Sequence, residues 1–325
     1  MEHTPERQQP KRTKRQKLQF GLGGLFFLML ASGIGFTCVG GWVHEYRGRT
    51  TAAQLINRFK GTLTPLASSS GGTGPPGKIR PHEKKSVQFE VPIGDDELTR
   101  LAPFGQWLED VEILDLQNGQ ITARGISALS SWPALREINL SQTQVDDAAL
   151  DALGPHPRLT KLWLDGTPIT NQGLTSLLRF PQLRTLSLNH TSITADGQAT
   201  LRRLKQLEEL SVAGTKLTDQ GLEHLMGLEN LQTLNLSSTG VTTAGLSPLK
   251  RLGKLRELNL AQTPVDAESI IILRRLPSLQ QINLHGTPFT PDDLARLQRA
   301  CPNLQIQTPS TSANSPAPAA NSPTK

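Results

Sequence analysis

Very little in this chain is equipped for covalent chemistry. Its 325 residues include two cysteines, one tyrosine and seven histidines, and aromatic side chains make up only 4% of it. Cys38 sits inside an apolar run and Cys301 near the far end, so no disulfide framework is available and the redox compartment stays open. The chain has no C-x-x-C and no H-E-x-x-H, which removes the usual zinc spacings. It also has no G-x-x-x-x-G-K-S/T and no strand-linked G-x-G-x-x-G, which removes the phosphate-cradling loops. The histidines are scattered: His190 and His285 stand in loops, His156 in a Gly-Pro-His-Pro turn and His224 on a helical stretch. Each is read as solvated, and no two carboxylates are isolated together in a cleft. We expect no catalytic residue, no metal and no cofactor, and hence a protein that is not an enzyme.

A one-signed charge is missing too, although the net charge of +6 suggests otherwise. Residues 1–86 carry 14 Lys/Arg against 4 Asp/Glu, whereas residues 87–307 carry 19 against 24. The larger part is mildly acidic, so no nucleic-acid footprint is expected. A local exception is a basic column formed by Arg179, Arg202, Arg203, Lys250, Arg251, Arg274, Arg275 and Arg299. It falls where helical segments should end. It complements the helix dipole, or it forms an edge that touches anionic lipid or an acidic partner.

What the chain has is repetition. From 111 to 303 it repeats every 24 residues, with one extra residue in the last copy: LREINLSQTQVDDAALDALGPHPR from Leu135, LTKLWLDGTPITNQGLTSLLRFPQ from Leu159, LEELSVAGTKLTDQGLEHLMGLEN from Leu207. In L-x-x-L-x-L the fourth and sixth positions alternate on one face, which predicts a short strand with its apolar side inward. The ninth position is Thr in seven consecutive copies, from Thr143 to Thr287, and Gly119 in the first. Those hydroxyls are expected to hold the turn that leaves each strand. The second half, as in Gly221-Leu222-x-x-Leu225-x-x-Leu228, switches to helical spacing, and Thr218-Asp219 ahead of it is a helix start signal. One strand–turn–helix unit cannot bury its apolar face alone, so the copies must stack into a continuous core. Two places break the pattern. Gln198 stands where other copies place Leu or Ile, and Pro155 and Pro157 interrupt the end of one helical segment, so weaker packing is expected at both.

The L-x-x-L-x-L motif on this period resembles the leucine-rich repeat superfamily, closest to its ribonuclease-inhibitor-like branch. The T-x-I-T-D-x-G-L-x-x-L half is similar to repeats in F-box-type adaptors and in bacterial membrane-tethered proteins. The resemblance covers residues 87–307. It implies an α/β leucine-rich repeat solenoid, a horseshoe with a concave parallel β-sheet and convex helices. It also implies a binding role without catalysis.

The expected organisation has six parts: a basic cytoplasmic N-terminus (1–17), one transmembrane helix (18–43), a juxtamembrane segment and flexible linker (44–86), a degenerate cap repeat (87–110), the repeats with a final strand (111–307), and a disordered tail (308–325). Residues 18–43 hold no charge, and about 20 such residues cross a bilayer core. Five Lys/Arg in residues 11–17 face Arg47 and Arg49 beyond the run, with Trp42 and Tyr46 at its far end. The positive-inside rule then puts the repeats outside the cytoplasm. A cleaved signal peptide fits less well, because the run exceeds an ordinary apolar region and no small-x-small site follows.

Strand positions three, five and seven should face outward on the concave side. They supply the candidate binding residues Glu137, Asn139, Lys161, Trp163, Asp165, Asn189, Glu209, Asn235, Glu257, Asn259 and Asn283. Trp163 is the outlier, an indole among small polar groups. It is either a binding hot spot or a ring lying on neighbours such as Glu137 and Arg184. The expected partner is a protein or peptide bound without turnover, and the expected location is a membrane. Two alternatives stand beside it: a structural envelope spacer that self-associates into a homo-oligomer, and a cytoplasm-facing F-box-type adaptor.

Overall fold

A computed structural model describes residues 36–65 and 85–308 of the chain. The basic N-terminus, most of the apolar run 18–43, the Gly/Ser/Pro stretch 66–84 and the tail beyond 308 lie outside the described residues. The side chains of Trp42, Tyr46 and Gln198 do so as well. No helix among the described residues is long and apolar enough to cross a membrane. The chain divides into two compact units, Met1–Arg47 and Gly48–Lys325. Only the beginning of a helix, from Phe36, is described in the first.

The second unit is built on one sheet whose eleven strands follow sequence order: β1 (Gly61–Pro65), β2 (Lys85–Phe89), β3 (Val111–Asp115), β4 (Glu137–Asn139), β5 (Lys161–Trp163), β6 (Thr185–Ser187), β7 (Glu209–Ser211), β8 (Thr233–Asn235), β9 (Glu257–Asn259), β10 (Gln281–Asn283) and β11 (Gln305–Gln307). β1 pairs antiparallel with β2, and every later pair is parallel. The register follows the repeat: Ile138 lies beside Leu162, Leu162 beside Leu186, and Ile282 beside Ile306. The inward residues from Leu114 to Leu284 are buried in one continuous core, as the alternation predicts.

The helical halves are shorter and tighter than a regular α-helix. They run as brief α-turns, such as Asp219–Leu225, or as 3₁₀ segments, Gly173–Arg179 and Ala244–Arg251. Leucines every third residue, such as Leu174 and Leu177, align on one face of a three-residue turn, and a single α-turn accommodates the same spacing at Leu222 and Leu225.

Each strand ends in the same device. The Thr at position nine donates its hydroxyl to the carbonyl three residues earlier, at 2.6–2.7 Å in all seven copies that carry it. The residue just before that Thr is left-handed in every copy. Glycine takes the position at Gly166, Gly214 and Gly286, whereas Asn118, Gln142, His190, Ser238 and Gln262 take it at φ of 55–62°. That turn lets the backbone N–H reach the next copy, as Gln142 does to the Asp165 carbonyl at 2.6 Å. A left-handed non-glycine residue costs about 1–2 kcal/mol. Ser238→Gly is therefore expected to raise stability by about 1 kcal/mol, read as a higher urea midpoint with an unchanged slope. A drop in midpoint would mean that the serine hydroxyl is needed there.

Helix starts are stitched across copies. The Asp219 carboxylate binds the following copy, accepting from Thr242 N–H at 2.7 Å and the Thr242 hydroxyl at 2.6 Å. Asp147 does the same with Thr170 and Asp95 with Thr122. The Asp of the Thr218-Asp219 start signal thus serves the following copy, while Thr218 itself makes no side-chain cap bond. The glycine that follows leaves room for it: a Cβ on Gly245 would stand 2.1 Å from Asp219 Oδ1.

Thr51–Lys60, readable from its apolar spacing as a short juxtamembrane helix, is helical as far as Arg58, and one expectation is corrected, that of His156. Helix Phe36–Arg58 lays Ala52 and Ile56, both fully buried, on the end of the core, and β1 then closes the sheet. Arg49 binds Glu109 at 2.6 Å and Asp110 at 3.0 Å, which ties that helix to the first copies. His156, expected in solvent, is 2% exposed. It occupies the core column Leu108, Trp132, His156, Phe180, Leu204, each 24 residues from the next, and packs edge-on against Phe180 at 6.5 Å between ring centres. The prolines beside it therefore do not loosen the core at that point, because an imidazole fills it.

Candidate functional site

The outward columns of β3 to β11 form the broad polar face of the sheet. Its copies differ most around Trp163. The indole is half-buried on β5 between Asn139 on β4 and Ser187 on β6. Beside it lies a depression of about 410 Å³ lined by Gln88, Asp115, Gln117, Glu137, Asn139 and Asp165 among others. A second, of about 240 Å³, lies over β8 to β11, between Asn235, Glu257, Asn259, Gln281 and Asn283.

The asparagine column expected to face a ligand has a local role first. In Asn139, Asn235, Asn259 and Asn283 the side-chain oxygen accepts from the backbone N–H two residues on, at 3.0–3.1 Å. Asp115 does the same toward Gln117. The parallel sheet supplies no partner for that N–H, so the side chain closes the turn. Where β6 and β7 carry serine instead, the preceding copy takes over. Asp165 accepts from Asn189 N–H at 2.8 Å and from the Ser187 hydroxyl at 2.5 Å, and Asn189 accepts from Ala213 N–H and the Ser211 hydroxyl. The signal that would have revealed this is the complementarity of the columns: serine at position five follows Asp or Asn at position seven of the copy before.

What remains for a ligand is specific. Asn235, Asn259 and Asn283 keep their amide NH₂ as a donor, whereas Asn139 donates to Gln117 Oε1 at 3.5 Å, and Trp163 keeps an indole face. Lys161 is engaged with Glu137 at 3.1 Å, so the charge of both is offset. Glu209 and Glu257 are exposed on β7 and β9 and form no ion pair among the described residues. With Asp115 and Asp165 the face is acidic and rich in donors. Arg184, once a candidate neighbour for the indole, pairs instead with Glu208. Among the described residues no three His, Cys, Asp or Glu side chains converge to hold a metal ion.

This architecture has close counterparts. Family models described as leucine rich repeat match residues 181–241 and 110–130. Solved structures with the same fold include an internalin C2 from Listeria monocytogenes, at 26% identity and a TM-score of 0.51, over 63% of this chain and 83% of that one. An internalin of the F type from the same organism aligns at 19% identity and a TM-score of 0.50, over 66% of this chain and 56% of that one. The second likeness is one of fold alone. No curated protein matches the chain.

Proposed function

We propose that this chain, a leucine-rich repeat protein, is a non-enzymatic scaffold that holds a protein or peptide on the sheet face around Trp163, tethered to a membrane by residues 18–43. The observation that carries the reading is the indole itself. It is a large amphipathic side chain left half-exposed beside a depression, in a column whose other members are short polar residues held in turn-closing hydrogen bonds, their own or those of the copy before. Trp is enriched where binding energy concentrates. The acidic, donor-rich surroundings favour a partner that brings carbonyl groups and positive charge.

The tether rests on the uncharged run of 26 residues and the five basic residues ahead of it. By that rule the repeats stand outside the cytoplasm. The likeness to bacterial internalins supports a bacterial setting.

Trp163→Ala is the test of the binding face. The side chain faces away from the apolar core and is not one of its members, so the variant should keep its urea midpoint. It should lose about 2 kcal/mol or more of affinity, roughly thirtyfold, for a partner that wild type captures. Unchanged affinity would remove the indole from the site. Protease added to cells with permeabilised outer layers should digest the repeats while the N-terminus stays protected; protected repeats would reverse the orientation.

A further inference from the structure

The edge of the sheet where its strands begin carries a charge pattern that neither the core nor the polar face requires. There the helical segments end and the chain turns into the next strand. Over residues 202–206, 226–230, 250–254 and 274–278 this edge holds eight Lys/Arg and one carboxylate, Glu229. All eight cations are exposed, the principal ones being Arg202, Arg203, Lys250, Arg251, Arg274 and Arg275. Farther along the same edge Arg179 and Arg184 are neutralised by Asp151 and Glu208, whereas none of these eight pairs with a carboxylate among the described residues. Lys254 only donates to the Asn230 amide oxygen at 2.7 Å, which leaves its charge uncompensated.

Helix C-termini each present only about half a unit of negative charge. They do not account for adjacent pairs in three copies, or for the lysine that follows each of the first two pairs. A second observation points to the surface such a row would meet. Ile271 is 57% exposed, the most exposed large hydrophobic side chain among the described residues. The same place in the preceding copies holds Ser127, Asp151, Thr175, Ala199, Glu223 and Ser247. Only here is it a large apolar residue, one turn ahead of Arg274 and Arg275 in helix Ile270–Leu273. An exposed apolar side chain one turn from two exposed cations is the chemistry of a membrane interface: the cations meet headgroup phosphates and the hydrocarbon enters the acyl boundary.

We propose that this strand-start edge of repeats is an anionic-membrane contact, with the cations on lipid phosphates and Ile271 inserted beside them. Cations spread over three copies, with a gap at 226–230, fit an extended charged surface better than a compact acidic protein. The edge is separate from the face around Trp163, so the two surfaces can be occupied together.

The test uses the unit Gly48–Lys325, which contains the whole buried core from Ala52 to Leu304 and lacks the apolar run. It is sedimented with vesicles of phosphatidylcholine alone, and with vesicles of phosphatidylcholine mixed with phosphatidylglycerol. Binding to the mixed vesicles only is expected, weakening as salt rises. Changing Arg202, Arg203, Arg274 and Arg275 to Gln should weaken it at least about a hundredfold. Ile271→Ser, which keeps every charge, should weaken it severalfold with an unchanged melting temperature. Equal binding to neutral vesicles, or full binding by the four-residue variant, would overturn the proposal. So would capture by polyglutamate without capture by vesicles, which would assign the edge to an acidic protein.

Discussion

Ile56→Asp is expected to destabilise the repeat unit by at least about 4 kcal/mol. Ile56 is fully buried in helix Phe36–Arg58, where it lies with Ala52 on the open end of the core. Loss of its packing alone costs about 2–5 kcal/mol. A carboxylate set into that apolar contact adds a desolvation penalty of several kcal/mol unless the helix swings away. Either response exposes the edge of β2, whose antiparallel pairing with β1 depends on the helix delivering Gly61 to Phe89. The effect should be read by urea denaturation of Gly48–Lys325 beside Ile56→Val, which keeps the apolar contact and should lose about 1 kcal/mol. If Ile56→Asp stayed within about 0.5 kcal/mol of wild type, the typical range for surface substitutions, the helix would be an appendage of the repeats and the first true cap would be Asp95–Leu101. The outcome also bears on membrane attachment. A cap reaching back to residue 48 leaves little chain between the repeats and the proposed tether.

That cap shows where sequence reading stops. The strands and their register were legible because a strict period fixes which residues lie side by side, and each inward leucine has an equivalent in the next copy. The threonine column was legible for the same reason. Residues 48–65 belong to no copy. Their single turn of apolar side chains gives no sign of what they cover until the exposed end of the solenoid is in view. The candidate binding face was readable as a face, while the hydrogen bonds inside it were not. Asn139, Asn235, Asn259 and Asn283 face outward as expected, yet each spends its carbonyl oxygen on its own backbone. A list of outward positions does not separate a side chain that is offered from one already engaged. Trp163 stands out by the opposite logic, since an indole cannot close that turn, and its copy gives up the turn-closing acceptor to keep it.

His156 was placed in solvent on its local context, a Gly-Pro-His-Pro turn, although the 24-residue spacing already set it between Trp132 and Phe180. The period was the better guide, and it predicts what the residue does to stability. Nε2 lies 3.1 Å from the Leu129 carbonyl, so it carries the hydrogen and donates. Burial pushes the pKa of His156 below its ordinary value, with the Leu129 and Gly154 carbonyls opposing the shift. The unfolded chain keeps the ordinary value near 6.5. Below that pH the unfolded state therefore binds a proton that the folded state refuses, and stability falls. The stability present above pH 6.5 is lost as the pH drops from there toward the lowered folded value. His156→Ala should cost about 3 kcal/mol at pH 7, because it empties a site in a packed aromatic column. His156→Leu, which restores the residue type found at Leu204 and Leu228, should stay within about 1.5 kcal/mol of wild type at pH 7, losing the bond to Leu129 and gaining apolar contact. Its decisive property is the slope. Between pH 7 and 5 its urea midpoint should fall less than that of the wild type, and the gap between the two curves should widen as acid is added. Parallel curves would mean that the imidazole reaches solvent and protonates freely, and that the column opens at His156.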